Sequence, residues 1–83
     1  MKKLLLILLF VPIVSFGQSA ANYYIKGNDK LAIEDYEGAI ADYNKAIELN
    51  PENADFYNSR GRAKSDLDDN EEAIKDYNRA IEL

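Results

Sequence analysis

The side chains of this chain that could do chemistry are carboxylates, amides and tyrosines. Its 83 residues hold no Cys, no His and no Trp. Without Cys there is no disulfide framework, thiolate metal site or thiol nucleophile. Without His there is no imidazole base for a Ser-His-Asp triad. One acidic cluster has suggestive spacing: Asp66, Asp68 and Asn70 alternate as the opening ligands of a calcium loop do. Such a loop next needs Gly, where Glu71 stands, and a closing Glu, where Tyr77 stands. Both fail, and Asp68 to Glu72 reads as a turn followed by acids that suit a helix dipole. No nucleophile–base pair and no Gly-rich phosphate loop is present either. The remaining chemistry is recognition, with no enzyme activity, metal or cofactor expected. Lys and Arg number 10 against 15 Asp and Glu, a net charge of −5, so no nucleic-acid partner is expected.

The first segment stands apart from the rest. Lys2 and Lys3 precede the apolar run Leu4 to Val14, and Ser15-Phe16-Gly17 follows with small residues at its first and third places. This is the build of a secretory signal peptide. The cut is expected after Gly17, leaving Gln18 first and the protein periplasmic or secreted. A spanning helix needs roughly 20 apolar residues. Pro12, Gln18, Ser19 and Asn22 interrupt the uncharged stretch that reaches Ile25. An uncleaved anchor, which would put the protein at a membrane, is the alternative. Cleavage leaves 66 residues with a net charge of −7. A small exported domain without disulfides draws its stability from packing, from a partner or from self-association.

These 66 residues contain a repeat. Ala20–Leu49 aligns with Ala54–Leu83 at an offset of 34, with 15 of 30 positions identical. Tyr36, Ala39, Ile40, Tyr43, Ala46 and Ile47 recur at spacings of three and four, which places them on one helical face. Ala73, Ile74, Tyr77, Ala80 and Ile81 repeat that stripe. Asp35 and Asn70 stand where N-caps belong, and Asn53 is placed to cap the helix after Pro51. The reading is all-α: helices at about 20–33, 36–49, 54–67 and 70–82, behind the 1–17 signal segment. Repeat one spans 20–53 and repeat two spans 54–83, incomplete.

A helix–turn–helix unit of this period resembles the tetratricopeptide repeat. Tyr23, Gly27, Ala39, Tyr43, Ala46 and Pro51 match its pattern, as do Tyr57, Gly61, Ala73, Tyr77 and Ala80. The resemblance implies a short right-handed α-solenoid of four antiparallel helices. Gly27 and Ala39 are expected to face each other at a close helix approach, and Ala46 to meet the first helix of the next repeat. Lys26 and Arg60 replace the usual Leu before Gly, with stems expected to cover apolar surface while their charges reach water. Gly38, inside a helix, is expected to cost roughly 1 kcal/mol against Ala. Asn70 replaces the aromatic found at Tyr36, so the turn within repeat two is expected to pack less well.

The resemblance also implies a function: binding a protein or peptide in a concave groove lined by the first helix of each repeat. Its positions carry over to Tyr24, Asn28 and Leu31, and to Asn58, Arg62 and Ser65. The amides would bond a peptide backbone, Arg62 a carboxylate, and Tyr24 an apolar side chain. A clamp that some members use for a C-terminal carboxylate is not implied, because Tyr24 stands where it needs Lys. About three or more such repeats are usually needed for stability. The chain is therefore expected to be a fragment of a longer array, or to pair with a partner or another copy through its open C-terminal end.

Overall fold

A computed structural model describes residues 19–83. The expected signal segment, 1–17, lies outside the described residues. Among the described residues, four helices form two hairpins stacked side by side. Helix α1 runs through residues 19–32, α2 through Tyr36–Leu49, α3 through Ala54–Asp66 and α4 through Asn70–Glu82. No strand occurs among the described residues.

Local chemistry sets the helix ends. The Asp35 carboxylate caps α2 by accepting a bond from the Gly38 N–H at 3.1 Å. Asn53 caps α3 through the Asp55 N–H at 2.9 Å. The cap of α4 is Asp69, one residue before the expected Asn70, and its side chain makes no capping bond. Glu71 and Glu72 in the first turn set negative charge at the positive end of the helix dipole there. Both intra-repeat turns pass through a non-glycine residue in the left-handed region, Glu34 and Asp68, each at φ 64°. The turn at Asp35 closes with its N–H bonded to the Lys30 carbonyl, and Asp69 repeats this on Lys64. Gly38 is more than a weak point of α2. A Cβ there would run into the Asp35 carboxylate, so the missing side chain makes room for the cap.

Small residues let the helices approach closely. Ala39, Ala46 and Ala63 are fully buried, and so is Tyr43. A Cβ on Gly27 would lie 2.5 Å from Tyr43 Cε1, so the aromatic ring occupies the space that glycine leaves. Ala39 belongs to a cluster with Tyr43 and with Ala63 of α3. Ala46 packs with Phe56 of α3 and Ala20 of α1, as expected for a contact with the next repeat.

Burial falls off at the far side of the stack. Tyr77 is 36% exposed where its counterpart Tyr43 is 0%. Ile74 is 57% and Ile81 82% exposed, while Ile40 and Ile47 are half-buried. Of the stripe on α4, Ala73 and Ala80 stay buried, whereas Ile74, Tyr77 and Ile81 are exposed.

Candidate functional site

The groove is made by α1 and α3, and packing between the helices decides what it shows. Tyr24 does not stand free in it. Its ring lies 5.0 Å from Phe56 and 5.7 Å from Tyr43, centroid to centroid, and its hydroxyl meets Ser59 Oγ at 3.1 Å. Tyr24 therefore ties α1 to both α2 and α3. Asn28 is held from below. The Tyr43 hydroxyl donates to Asn28 Oδ1 at 2.6 Å. Burial pushes the Tyr43 phenol above its ordinary range, so it stays a protonated donor at neutral pH.

That bond has a chemical consequence. With one lone pair of Oδ1 engaged, Asn28 keeps both amide N–H donors to offer. Asn28, Leu31, Ala32 and Arg62 line a shallow depression of about 290 Å³. Its polar lining is an amide whose carbonyl is engaged by Tyr43 and a guanidinium, which has no acceptor. Its apolar lining is Leu31 and Ala32. Such a surface suits an acceptor-rich group, a carboxylate or peptide carbonyls, beside an apolar side chain.

Of the six residues carried over from the sequence, Asn28, Leu31 and Arg62 meet at this depression. Asn58 is exposed on α3 and Ser65 is half-buried. Neither lines the depression. Ala32 was missed, although it stands four residues after Asn28 and so on the same helical face. The Tyr43 hydroxyl and Ser59 were missed as well. Tyr43 carried only a core assignment, and its reach to Asn28 depends on the angle between two helices.

Below the groove an ion cluster joins the helices of repeat two. Arg60 grips Asp76 with two bonds, Nε to Oδ2 at 2.9 Å and Nη2 to Oδ1 at 2.7 Å. Lys64 Nζ reaches Asp76 Oδ2 at 3.0 Å. The Asp76 side chain is 6% exposed. Burial alone would push its carboxyl up, but the bonds and charges of Arg60 and Lys64 outweigh burial and hold it below the usual carboxylate range. Arg60 thus corrects the sequence expectation. Its guanidinium is mostly covered and closes a fork on a carboxylate, a geometry that lysine cannot reproduce. Its Nη1 also donates to Asn44 of α2 at 2.9 Å, linking the repeats. In repeat one only Lys30 meets the equivalent Asp42, at 2.8 Å. Lys26, the counterpart of Arg60, lies over the Tyr23 ring at 5.4 Å.

Comparison with known proteins agrees with this architecture. A family profile described as TPR repeat matches residues 22–68, and one described as Tetratricopeptide repeat matches residues 54–83. Small glutamine-rich tetratricopeptide repeat-containing protein alpha, from Homo sapiens and from Bos taurus, is 47% identical over 32 residues, 39% of this chain. The match spans about a tenth of those relatives' length. The solved Arabidopsis OM64 TPR domain superposes with a TM-score of 0.79 at 27% identity, covering 80% of this chain and 55% of that one. Period, small-residue packing, helix order and both profile matches converge: the chain belongs to the tetratricopeptide repeat family.

Proposed function

We propose that this chain is an exported interaction module that takes an extended peptide or protein segment along the groove of α1 and α3. The observation that carries the reading is the donor-lined depression of Asn28, Leu31, Ala32 and Arg62, with Asn28 oriented by Tyr43. Arg62 takes an acidic side chain or terminal carboxylate, Asn28 and Asn58 bond peptide carbonyls, and Leu31 receives an apolar side chain. Tyr24 and Ser65 border the same path. Tetratricopeptide repeats are in general protein-interaction domains, which supports the class of partner though not its identity.

The test is an array of extended peptides, acidic and amide-capped, probed with the 18–83 domain and with the Asn28→Ala, Asn58→Ala, Arg62→Ala triple variant. The wild-type domain should select acidic sequences. The variant should lose them while keeping its far-ultraviolet circular dichroism, and retained selection would overturn the reading. Export is proposed from Lys2, Lys3, the apolar run and Ser15-Phe16-Gly17. Expression with the leader in a bacterial host should yield periplasmic protein beginning at Gln18. Protein held in the membrane fraction with Met1 intact would mean an anchor. Self-assembly through α4 is the competing reading, drawn from the exposure of Ile74 and Ile81. It requires that Ile81→Asp lower the mass at sedimentation equilibrium, and an unchanged mass removes it.

A further inference from the structure

One core hydroxyl reaches the groove. Tyr43 is 0% exposed, yet its oxygen lies 2.6 Å from Oδ1 of Asn28, which lines the depression. That length fits an O–H···O bond and is shorter than the usual range for N–H···O. The phenol is therefore the donor and the amide carbonyl the acceptor. In a planar amide the oxygen and the nitrogen leave Cγ on different sides. Pinning Oδ1 on Tyr43 thus turns the two Nδ2 hydrogens away from the core.

The hydroxyl is fixed before any ligand arrives. The Tyr43 ring fills the space left by Gly27, where a Cβ would come within 2.5 Å of Cε1. The Tyr24 ring lies 5.7 Å from it, centroid to centroid. Tyr24 is itself tied to α3 through Ser59 Oγ at 3.1 Å and through the Phe56 ring. Three helices therefore set the point at which the proton is offered. Asn28 is only half-buried, and among the described residues no other hydrogen bond holds its side chain.

The second repeat reaches the same polarity by another route. Arg62 stands 34 positions after Asn28. A guanidinium has no acceptor, so it offers donors however it turns. Among the described residues, every other Lys and Arg has a carboxylate within 3.5 Å or, for Lys26, lies over a ring. Arg62 has neither. The depression thus presents donors from both repeats, with its one side-chain carbonyl turned towards the core.

We infer that Tyr43 is a positioning residue that sets the ligand class of the groove: by fixing Asn28 as a donor beside Arg62, it selects a carboxylate and rejects the carboxamide of the same shape. The inference rests on the groove reading given above. A carboxylate set between Asn28 and Arg62 brings acceptors alone. A carboxamide sets its own N–H groups against donors and leaves them unpaired. The charge of Arg62 adds to the preference, so only part of it depends on Tyr43. Without the hydroxyl, Asn28 is able to turn and offer its carbonyl to the carboxamide.

The probes are N-acetyl-leucine and N-acetyl-leucinamide, which share an apolar side chain and differ in acid against amide. Each is titrated into the isotope-labelled full chain and followed by the side-chain resonances of Asn28 and Arg62. The wild-type chain should prefer the acid by about tenfold or more, as a charge-assisted bond warrants. Tyr43→Phe keeps the ring and should narrow that preference roughly three- to tenfold, the worth of one net hydrogen bond. The same change made on Asn28→Ala should leave the ratio where it is, because no amide remains to be set. An unchanged ratio in Tyr43→Phe overturns the inference and leaves the groove reading standing. An equal fall on Asn28→Ala also overturns it, since the hydroxyl would then act through packing. If neither compound moves these resonances, the groove reading fails and takes the preference with it. One measurement needs neither ligand nor variant. In the wild-type chain the Asn28 side-chain amide should be as restrained on the picosecond-to-nanosecond scale as the helix backbone, unlike that of exposed Asn58. An Asn28 amide as mobile as that of Asn58 overturns the inference even where the groove binds.

Discussion

At the residue scale, two glycines are required by two tyrosines, and the two pairs are not equally strict. A Cβ at Gly27 would lie 2.5 Å from the Tyr43 ring, and one at Gly61 would lie 2.9 Å from the Tyr77 ring. Tyr43 is fully enclosed and has nowhere to go, while Tyr77 is 36% exposed and free to swing outward. Gly27→Ala should therefore destabilise the domain by about 1–3 kcal/mol, the usual range for overpacking. Gly61→Ala should cost less, since the Tyr77 ring is able to swing aside and the Ala73 carbonyl, 3.2 Å from the new Cβ, has only a few tenths of an ångström to give. The roughly 1 kcal/mol of helix propensity that alanine recovers is common to both sites. Urea melts of the two variants decide the order, and an equal or reversed order would mean that Tyr43 is as mobile as Tyr77.

At the scale of elements, the α3–α4 hairpin is joined by Asp76 between Arg60 and Lys64. The sign of its pH dependence follows from the lowered carboxyl. In the unfolded chain Asp76 takes up its proton near pH 4, and in the folded chain only below that. Between those points the unfolded state holds more protons, so this contribution is complete above the unfolded value and is lost as pH falls through the folded one. Urea melts from pH 7 down to pH 2 should show stability declining on the acid side. Asp76→Asn should cost about 3 kcal/mol at neutral pH, because two cations lose a largely buried partner, and should flatten the acid limb. An acid limb as steep in the variant as in the wild type would assign it to the exposed carboxylates.

At the scale of the whole molecule, the two repeats are near copies in sequence but differ in environment. Tyr43 and Tyr77, or Ile47 and Ile81, are the same residue types, yet Tyr43 is enclosed and Ile47 half-buried while Tyr77 is 36% and Ile81 82% exposed. Stability in a repeat array is the sum of each unit and its neighbour contacts, so it should be graded along the stack. Amide exchange in residues 78–83 should be at least tenfold faster than in residues 44–49 under native conditions. Uniform protection would mean that the stack opens as one cooperative unit, or that α4 is already covered in solution.

Read alone, the sequence determined the repeat, the helices and their limits to within about two residues, because period, caps and small residues are local facts that recur 34 positions apart. It also located the stripes from which the groove is drawn. It could not say which members of a stripe point into the groove and which turn into the packing. Tyr24 and Asn28 lie on the same stripe. One became a tie between three helices and the other a presented amide, because a helix face is wider than the gap beside it. Nor could it foresee that Arg60 would turn inward to Asp76 while Lys26 lies over a ring. That choice depends on the fork of a guanidinium, on the second cation at Lys64 and on Asn44 arriving from another helix. Helix spacing is written in the order of residues, whereas the partner of a long polar side chain is set by distances between helices, and only the tertiary structure supplies those.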